Sequence, residues 1–303
     1  LAIKQSNLCS EITLPTDEER TAVCCLSSVN LEHFDKWSKD KNFINDLVTM
    51  LDNVLQHFID NAVDTTQLGE YNANFKRFTK HIRAGKEGFT KATYSAYRER
   101  SIGLGAMGFH AYLQSKQIPF ESIYASGFNH KVFKHIKTKA LEASQGLAES
   151  RGEAPDISGS GLRNAHLIAV APNASSSIIC GGTSPSIEPY RANVYTHKTL
   201  SGSYQVKNKY LEKLFRSKGI KGKKLTQLWK DIAGYDGSVQ QLDILTAEEK
   251  EIFKTANEIN QIWIVEHAYK RQDFICQSQS VNLFFILPKA TEPQAVHDDY
   301  MQY

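Results

Sequence analysis

The sequence predicts an α/β fold, in which short apolar strands alternate with long amphipathic helices. Three apolar runs have the length and composition of buried strands: Thr21–Ser28, His166–Ala171 and Val281–Leu287. The segments Asn42–Asn61 and Phe128–Glu149 carry apolar residues at intervals of three and four, which is the period of a helix with one buried face. The chain has 303 residues, 41% of them hydrophobic, which is enough for a sizeable core in one large or two ordinary domains.

Charge and hydropathy exclude several classes of function. The formal net charge is only +3 and there is no polybasic run, so we expect binding to neither nucleic acid nor a membrane surface. No apolar stretch reaches the roughly 20 residues of a membrane span, and no signal-peptide pattern opens the chain. We therefore expect a soluble, cytoplasmic protein. The five cysteines are widely spread and odd in number, which favours reactive or buried thiols over a disulfide framework.

The first candidate site lies at the beginning of the chain, where Asn7, Cys9 and Glu11 occupy alternate positions. In an extended segment these three side chains face the same side. A thiol can carry a radical or act as a nucleophile, a carboxylate can accept a proton, and an amide can hold a hydroxyl group. From the residues alone, a buried structural Cys9 beside an ordinary surface glutamate remains an alternative.

The glycines between Gly103 and Gly108 follow the pattern G-x-G-x-x-G. A dinucleotide-binding turn with this pattern requires a preceding apolar strand and an acidic residue about 20 positions later. The preceding segment Tyr97–Ser101 is charged, so an NAD(P)-dependent oxidoreductase is the weaker alternative. We instead predict a helix surface on which Gly105 and Gly108 allow another element to approach closely.

A run of small polar residues, Asn173–Ser177, follows the predicted strand His166–Ala171. Backbone N–H groups and serine hydroxyls in such a run can hold an anion, although many serine-rich turns have only a structural role. The run lacks a Gly-Lys-Ser/Thr ending, so it does not predict triphosphate hydrolysis. Cys180, three residues later, is expected to be a small buried residue.

One further helix is predicted in the last third of the chain. Thr246 and Glu249 have the spacing of a capping box, and apolar residues at helical intervals continue to Trp263. This pattern is explained by packing against a core.

Two motifs carry a family resemblance. Residues 7–16 (NLCSEITLPT) and 22–31 (AVCCLSSVNL) closely resemble the active-site region of the large catalytic subunit of aerobic, class I ribonucleotide reductase. Further matching stretches occur at Arg100–Gly105, Ala171–Ser177 and Ile187–Tyr190. The resemblance covers nearly the whole chain in the family's order, but not the family's front half.

The resemblance implies a fold as well as a chemistry. The expected architecture is the second half of the reductase's ten-stranded α/β barrel, as one domain over residues 1–303. Residues 1–16 are expected to be the finger loop that presents the radical cysteine, and residues 17–303 the half-barrel with its surrounding helices. On this basis the chain is a fragment or a split-gene product.

By the same resemblance, a thiyl radical on Cys9 removes the 3′ hydrogen of a ribonucleoside diphosphate. Glu11 takes the proton of the 3′-hydroxyl, Asn7 holds the ribose hydroxyls, and the 2′-hydroxyl leaves as water. Two cysteines supply the electrons by forming a disulfide; Cys24 matches one of them, and its partner belongs to the missing front half. The substrate phosphates are implied to lie on five residues: Asn173, Ala174, Ser175, Ser176 and Ser177.

The resemblance also implies partners for an allosteric enzyme of DNA precursor synthesis. A small subunit containing a metal supplies the radical, thioredoxin or glutaredoxin supplies reducing equivalents, and no cofactor is bound directly. Activity is expected only with this subunit and a chain carrying the front half. Cys9, Cys24, Cys25 and His33 lack the paired spacing of a zinc site, so no metal is expected. The alternative from another class is a non-catalytic remnant or assembly partner that retains the fold.

Overall fold

A computed structural model describes residues 2–63, 75–80, 82 and 89–286. The chain divides into two compact units. The first comprises Leu1–Ala106, His130–Pro172 and Arg271–Ser280; the second comprises Met107–Asn129, Asn173–Lys270 and Val281–Tyr303. The single domain expected over residues 1–303 stays a prediction. Among the described residues, no helix combines the length and the apolar character needed to cross a membrane.

The described residues form helices and strands in alternation. The strands are β1 (Cys25–Asn30), β2 (Ile102–Met107), β3 (Val194–Thr199) and β4 (Gly202–Lys207). The helices of the first half are α1 (Phe34–Trp37), α2 (Phe43–Ala62), α3 (Phe75–Thr79), α4 (Thr90–Glu99), α5 (Phe109–Ser115) and α6 (Ile123–Arg151). Those of the second half are α7 (Ser176–Ile179), α8 (Lys209–Ser217), α9 (Gly222–Gly234), α10 (Ala247–Ile252) and α11 (Ile262–Gln272).

Four neighbouring chain segments form the centre of the first unit. Strand β1 pairs with β2, and Leu104 of β2 forms a parallel bridge with Ile168. Val170 in turn forms a parallel bridge with Gln279. All six residues of β2 are buried, as expected for a central strand of a parallel sheet covered on both faces. The predicted strand His166–Ala171 thus contributes bridges to this arrangement, whereas the strand predicted from Thr21 begins only at Cys25.

The glycine-rich segment is strand β2, so its prediction as a helix surface was wrong. A Cβ atom on Gly105 would lie 2.6 Å from the backbone oxygen of Ala169, and one on Gly103 would lie 2.4 Å from the side chain of Leu26. The glycines therefore do permit close approach, but between strands. Gly103 and Gly105 lie inside β2, and only Gly108 lies at the junction with α5, as its N-cap with a left-handed φ of 83°. The first two glycines therefore do not form the strand-to-helix turn of a dinucleotide site.

The two long helices agree with their predictions, with small changes at the ends. Helix α2 lies within one residue of the predicted bounds at each end, and α6 extends further in both directions than Phe128–Glu149. Asp52 lies on the apolar face of α2 between Leu51 and Leu55 and is fully buried.

The capping box at Thr246 is present, but the helix that it begins ends at Ile252. The carbonyl of Phe253 accepts a hydrogen bond from Asn193 at 2.8 Å, and the amide of Ala256 donates to Tyr190 at 2.8 Å. Because tertiary contacts use these backbone groups, the chain leaves the helix, and the apolar pattern resumes in α11 as a separate helix.

The second unit contains an antiparallel hairpin of β3 and β4 and its own apolar core. Residues 281–286 form no strand, because the amide of Phe284 donates to the side chain of Gln261 at 2.8 Å rather than to a neighbouring strand. Leu287, at the end of this predicted strand, lies outside the described residues. The core comprises Val194, Leu211, Phe215, Ile220, Leu225, Trp229, Ile232, Val239, Leu242, Leu245, Ile252 and Phe253.

Candidate active site

The segment that carries Cys9 forms a tight turn. The side-chain oxygen of Asn7 accepts a hydrogen bond from the amide of Ile12 at 3.0 Å, and the amide of Ser10 donates to the carbonyl of Asn7 at 3.1 Å. Ser10 adopts a left-handed φ of 67°. Asn7, Cys9 and Glu11 would share one side only in an extended segment, and that condition is not met, because these local hydrogen bonds fold the segment back. Cys9 lies at the tip of the turn and is partly buried.

Glu11 lies at the base of this turn and is only 3% exposed. Its carbonyl accepts a hydrogen bond from the amide of Ser278 at 3.0 Å, which fixes Glu11 beside the segment around Gln279, the fourth of the central segments. Its carboxylate oxygen Oε2 is buried and has no hydrogen-bond partner among the described residues. A few residues later, Arg20 pairs with Glu99 at 3.2 Å and with Asp156, which anchors the end of the loop. Glu11 is thus a buried carboxylate with free capacity to bind a donor.

The thiol of Cys24 lies just before β1 and accepts a hydrogen bond from Nε2 of Gln277 at 3.6 Å. Burial raises the pKa of Cys24 to about 12, and the hydrogen bond from Gln277 opposes this rise. The neighbouring Cys25, Cys276 and Glu11 raise the pKa further. Cys24 is therefore a protonated thiol at neutral pH, suited to donating hydrogen rather than to acting as a thiolate nucleophile.

Sequence reasoning missed Gln277 and Cys276 as neighbours of Cys24. The sulfur of Cys276 accepts hydrogen bonds from the amides of Leu167 and Ile168, at 3.1 and 3.2 Å. Both residues are about 250 positions from Cys24 in sequence, and no local motif marks them. Among the described residues, no hydrogen bond joins Cys9 to Glu11 or Cys24.

In the second unit, the segment from Asn173 to Ser177 forms a compact turn before α7. Asn173 has a left-handed φ of 51°, and its carbonyl accepts from the amide of Ser177 at 3.0 Å. The amides of Ala174, Ser175 and Ser176 have no hydrogen-bond partner among the described residues, and Ala174 and Ser175 are exposed. Free, adjacent amides of this kind form a concave donor surface for an anion.

Cys180 is exposed, so its prediction as a buried residue was wrong. It is the C-cap of α7, a helix of four residues, and its amide donates to the carbonyl of Ser176 at 2.9 Å. This short helix buries only Ser177, which leaves the side chain of Cys180 facing solvent.

A hydrogen bond between the buried Glu188 and the exposed Asn282 supports the segment around Glu188, also in the second unit. Glu188 accepts from Nδ2 of Asn282 at 2.5 Å; burial raises the pKa of its carboxyl group, and Asn282 opposes that rise.

Nδ1 of His110 accepts from the amide of Tyr190 at 3.0 Å, so Nε2 carries the ring proton, which faces the carbonyl of Ile252. Burial lowers the pKa of His110 to about 3, which keeps the imidazole neutral.

Comparison with known proteins decides the family. The sequence profile described as "Ribonucleotide reductase, barrel domain" matches residues 1–160 and 154–303. The chain belongs to the ribonucleotide reductase barrel-domain family. It is similar to the ribonucleoside-diphosphate reductase large subunit of Invertebrate iridescent virus 3, with 48% identity over 94% of this chain and 42% of that protein. The corresponding subunit of Invertebrate iridescent virus 6 is 46% identical over 91% of this chain and 26% of its own length.

A solved structure supports the same family. The chain is similar to the class Id ribonucleotide reductase alpha subunit of Actinobacillus ureae, with a TM-score of 0.83 and 37% identity over 99% of this chain and 51% of that one. The predicted family and its α/β barrel-domain fold are confirmed. The chain spans about half or less of the length of these relatives.

Proposed function

We propose that the chain is part of the catalytic subunit of a ribonucleoside-diphosphate reductase, which converts ribonucleoside diphosphates to deoxyribonucleoside diphosphates. The observation that carries this proposal is the turn at residues 7–12. It places Cys9 at its tip, and it leaves a buried oxygen of Glu11 without a partner among the described residues. A substrate hydroxyl group would supply the missing donor to Glu11.

In the proposed mechanism, Cys9 as a thiyl radical takes the 3′ hydrogen atom of the ribose and returns it at the end. Glu11 accepts the proton of the 3′-hydroxyl, and Asn7 contacts the ribose hydroxyls after its hydrogen bond to Ile12 is exchanged. Cys24 and a second thiol from the rest of the subunit give two electrons and two protons. The C2′–O bond breaks, the oxygen leaves as water, a hydrogen replaces it, and the two sulfurs form a disulfide.

The protonated state of Cys24 fits this role, because a thiol whose pKa is about 12 keeps its hydrogen at neutral pH and can donate it during the reaction. The substrate diphosphate is proposed to bind the turn formed by Asn173, Ala174, Ser175, Ser176 and Ser177. The free amides of Ala174 and Ser175 are exposed donors for its oxygens.

The proposed partners are those of the family. A radical-generating, metal-containing small subunit oxidises Cys9 by one electron, and thioredoxin or glutaredoxin reduces the disulfide after each turnover. A polypeptide that supplies the rest of the large subunit completes the site, in the cytoplasm. No metal or cofactor bound directly to this chain is part of the proposal.

The test is a chimera in which residues 1–303 replace the matching stretch of the iridescent virus 3 large subunit, mixed with a radical-loaded small subunit. Reduction of CDP is measured for the parent chimera, Cys9→Ser and Cys180→Ser. We expect turnover in the parent and in Cys180→Ser. The thiol of Cys180 is exposed, and only its backbone amide, which the substitution leaves in place, contacts Ser176. Cys9→Ser should abolish turnover without loss of folding.

Two outcomes contradict the proposal. Full activity of Cys9→Ser contradicts the role of Cys9 as the radical cysteine. A folded, assembled parent chimera without CDP reduction favours the alternative of a non-catalytic remnant, because the chimera restores the flanking segments of an active subunit.

A further inference from the structure

A cavity of about 240 Å³ in the first unit is lined by three arginines, Arg100, Arg151 and Arg163, together with Tyr97 and Glu153. It lies where the end of α4, the end of α6 and the loop after α6 come together. This cavity is separate from the residues of the proposed reaction, and none of its arginines has a role in that mechanism.

The arginines share one buried carboxylate. Asp52 is fully buried and lies 2.9 Å from Nε of Arg100, 2.9 Å from Nη1 of Arg151 and 3.4 Å from Nε of Arg163. Burial alone would raise the pKa of Asp52, but the attraction of Arg100, with Arg163 and Arg151, outweighs it and the pKa is lowered. One negative charge therefore faces three guanidinium groups.

The second carboxylate at the cavity, Glu153, is already engaged. Its two oxygens accept hydrogen bonds from the amides of Gly159 and, at 2.7 Å, Gly161. Counting both carboxylates still leaves one excess positive charge in the cavity. Burial, followed by repulsion from Arg100 and Arg151, lowers the pKa of Arg163 to about 10, as expected when like charges are crowded.

The three arginines that line the cavity have donors without a partner among the described residues. Arg100 is 3% exposed and Arg163 is 8% exposed. Nη1 of Arg100 and Nη2 of Arg163 make no hydrogen bond to any described residue, and neither is sealed from solvent. Nε and Nη2 of Arg151 are likewise unpaired within the described part of the chain. These donors are open to solvent and are therefore available to an anionic ligand.

We propose that this cavity binds a small oxyanion, as phosphate or as the phosphoryl group of a nucleotide. Arginine N–H groups form strong, charge-assisted hydrogen bonds to phosphate oxygens. Donors that converge from three side chains suit a tetrahedral oxyanion better than a planar carboxylate, which one guanidinium group satisfies. The proposal goes beyond the reductase function and does not depend on it.

The test measures binding of inorganic phosphate to the chain by calorimetry and by thermal stabilisation, with ionic strength held constant by sodium chloride. We expect saturable binding with a Kd of about 1 mM or tighter. Arg151→Gln, which alters the most exposed of the three arginines, should weaken it about tenfold, the effect of losing one charge-assisted hydrogen bond. Lys134→Gln removes an exposed positive charge from a different surface of α6 and should leave Kd within about twofold.

Adenosine 5′-monophosphate distinguishes the two sources of the anion. Binding that is tighter than that of phosphate and depends on Arg151 assigns the site to a nucleotide phosphoryl group; equal or weaker binding assigns it to the free ion. Arg163→Gln provides a second variant, with folding checked by circular dichroism. Absence of saturable binding, or equal affinity in wild type and Arg151→Gln, overturns the proposal.

Discussion

The side-chain amide of Gln277 donates to the sulfur of Cys24 at 3.6 Å and to the carbonyl of Ile102 at 3.1 Å. Gln277 belongs to the fourth central segment of the first unit, and Ile102 begins β2. One glutamine thus links the proposed redox cysteine to the sheet. Because this amide opposes the effect of burial on the pKa of Cys24, it is a positioning residue whose loss has a measurable chemical effect.

Replacing Gln277 with methionine keeps the side-chain length and removes the donor. We expect the pKa of Cys24 to rise further and its alkylation by iodoacetamide at pH 9 to slow by about threefold, since one weak hydrogen bond to sulfur is lost. Mass spectrometry of the peptides separates this reaction from that of Cys9, whose rate should not change. An unchanged alkylation rate at Cys24 contradicts this role of Gln277.

Gly105→Ala tests the close approach of β2 to its neighbour. The new methyl group would lie 2.6 Å from the backbone oxygen of Ala169, so we expect the free energy of unfolding to fall by about 2 kcal/mol or more. The matched control is Gly127→Ala in α6, where a Cβ atom meets nothing within 4 Å. That variant should be more stable by about 0.5–1 kcal/mol, because alanine favours the helix. Urea unfolding measures both changes, and equal stability of the two variants would show that β2 is not packed as described.

Asp52→Asn should lower the free energy of unfolding by about 3 kcal/mol at pH 7, because it leaves buried arginines without their carboxylate. The folded-state pKa of Asp52 lies below its ordinary value of 3.8. Its stabilising contribution is therefore present above that value and is lost as the pH falls through the lower folded-state pKa. The difference between wild type and Asp52→Asn should shrink over that acidic window. Asp46→Asn, an exposed change on the same helix, should cost under about 1 kcal/mol; a similar loss in both variants contradicts the prediction.

His110 should make the second unit less stable in acid. Its folded-state pKa of about 3 lies below the ordinary value of 6.5, so between these values the unfolded chain binds a proton that the folded chain does not. Stability then rises with pH across this window, by up to about 1.4 kcal/mol per pH unit for one proton. His110→Asn offers an oxygen to the amide of Tyr190 and should reduce this slope in unfolding measured from pH 4 to 6.5. The exposed His33 provides the control, His33→Asn, whose slope should match wild type. An unchanged slope in His110→Asn would assign the acid sensitivity to other groups.

Local sequence patterns predicted the elements that local forces decide. The apolar periodicity of α2 and the capping box at Thr246 depend on residues within a few positions of each other, and both predictions were confirmed. Cys24 and Gln277, by contrast, are 253 positions apart, so no local pattern indicates their contact. One local signal for the arginine cavity was present in the sequence and was not used. Asp52 interrupts the apolar face of α2, and a buried charge requires partners of opposite charge.

The sequence by itself determined the family and the α/β class, because motifs at fixed short spacing carry that information; the roles of the candidate site residues stay predictions. Only the tertiary structure decided that Gly103 and Gly105 lie in a buried strand, since their neighbours Leu26 and Ala169 are far away in the chain. It also decided that residues 7–12 form a turn and that α10 ends at Ile252. For β2 and α10 the reason is that neighbours distant in the chain contact these segments, and satisfying buried hydrogen-bonding groups took precedence over local preference.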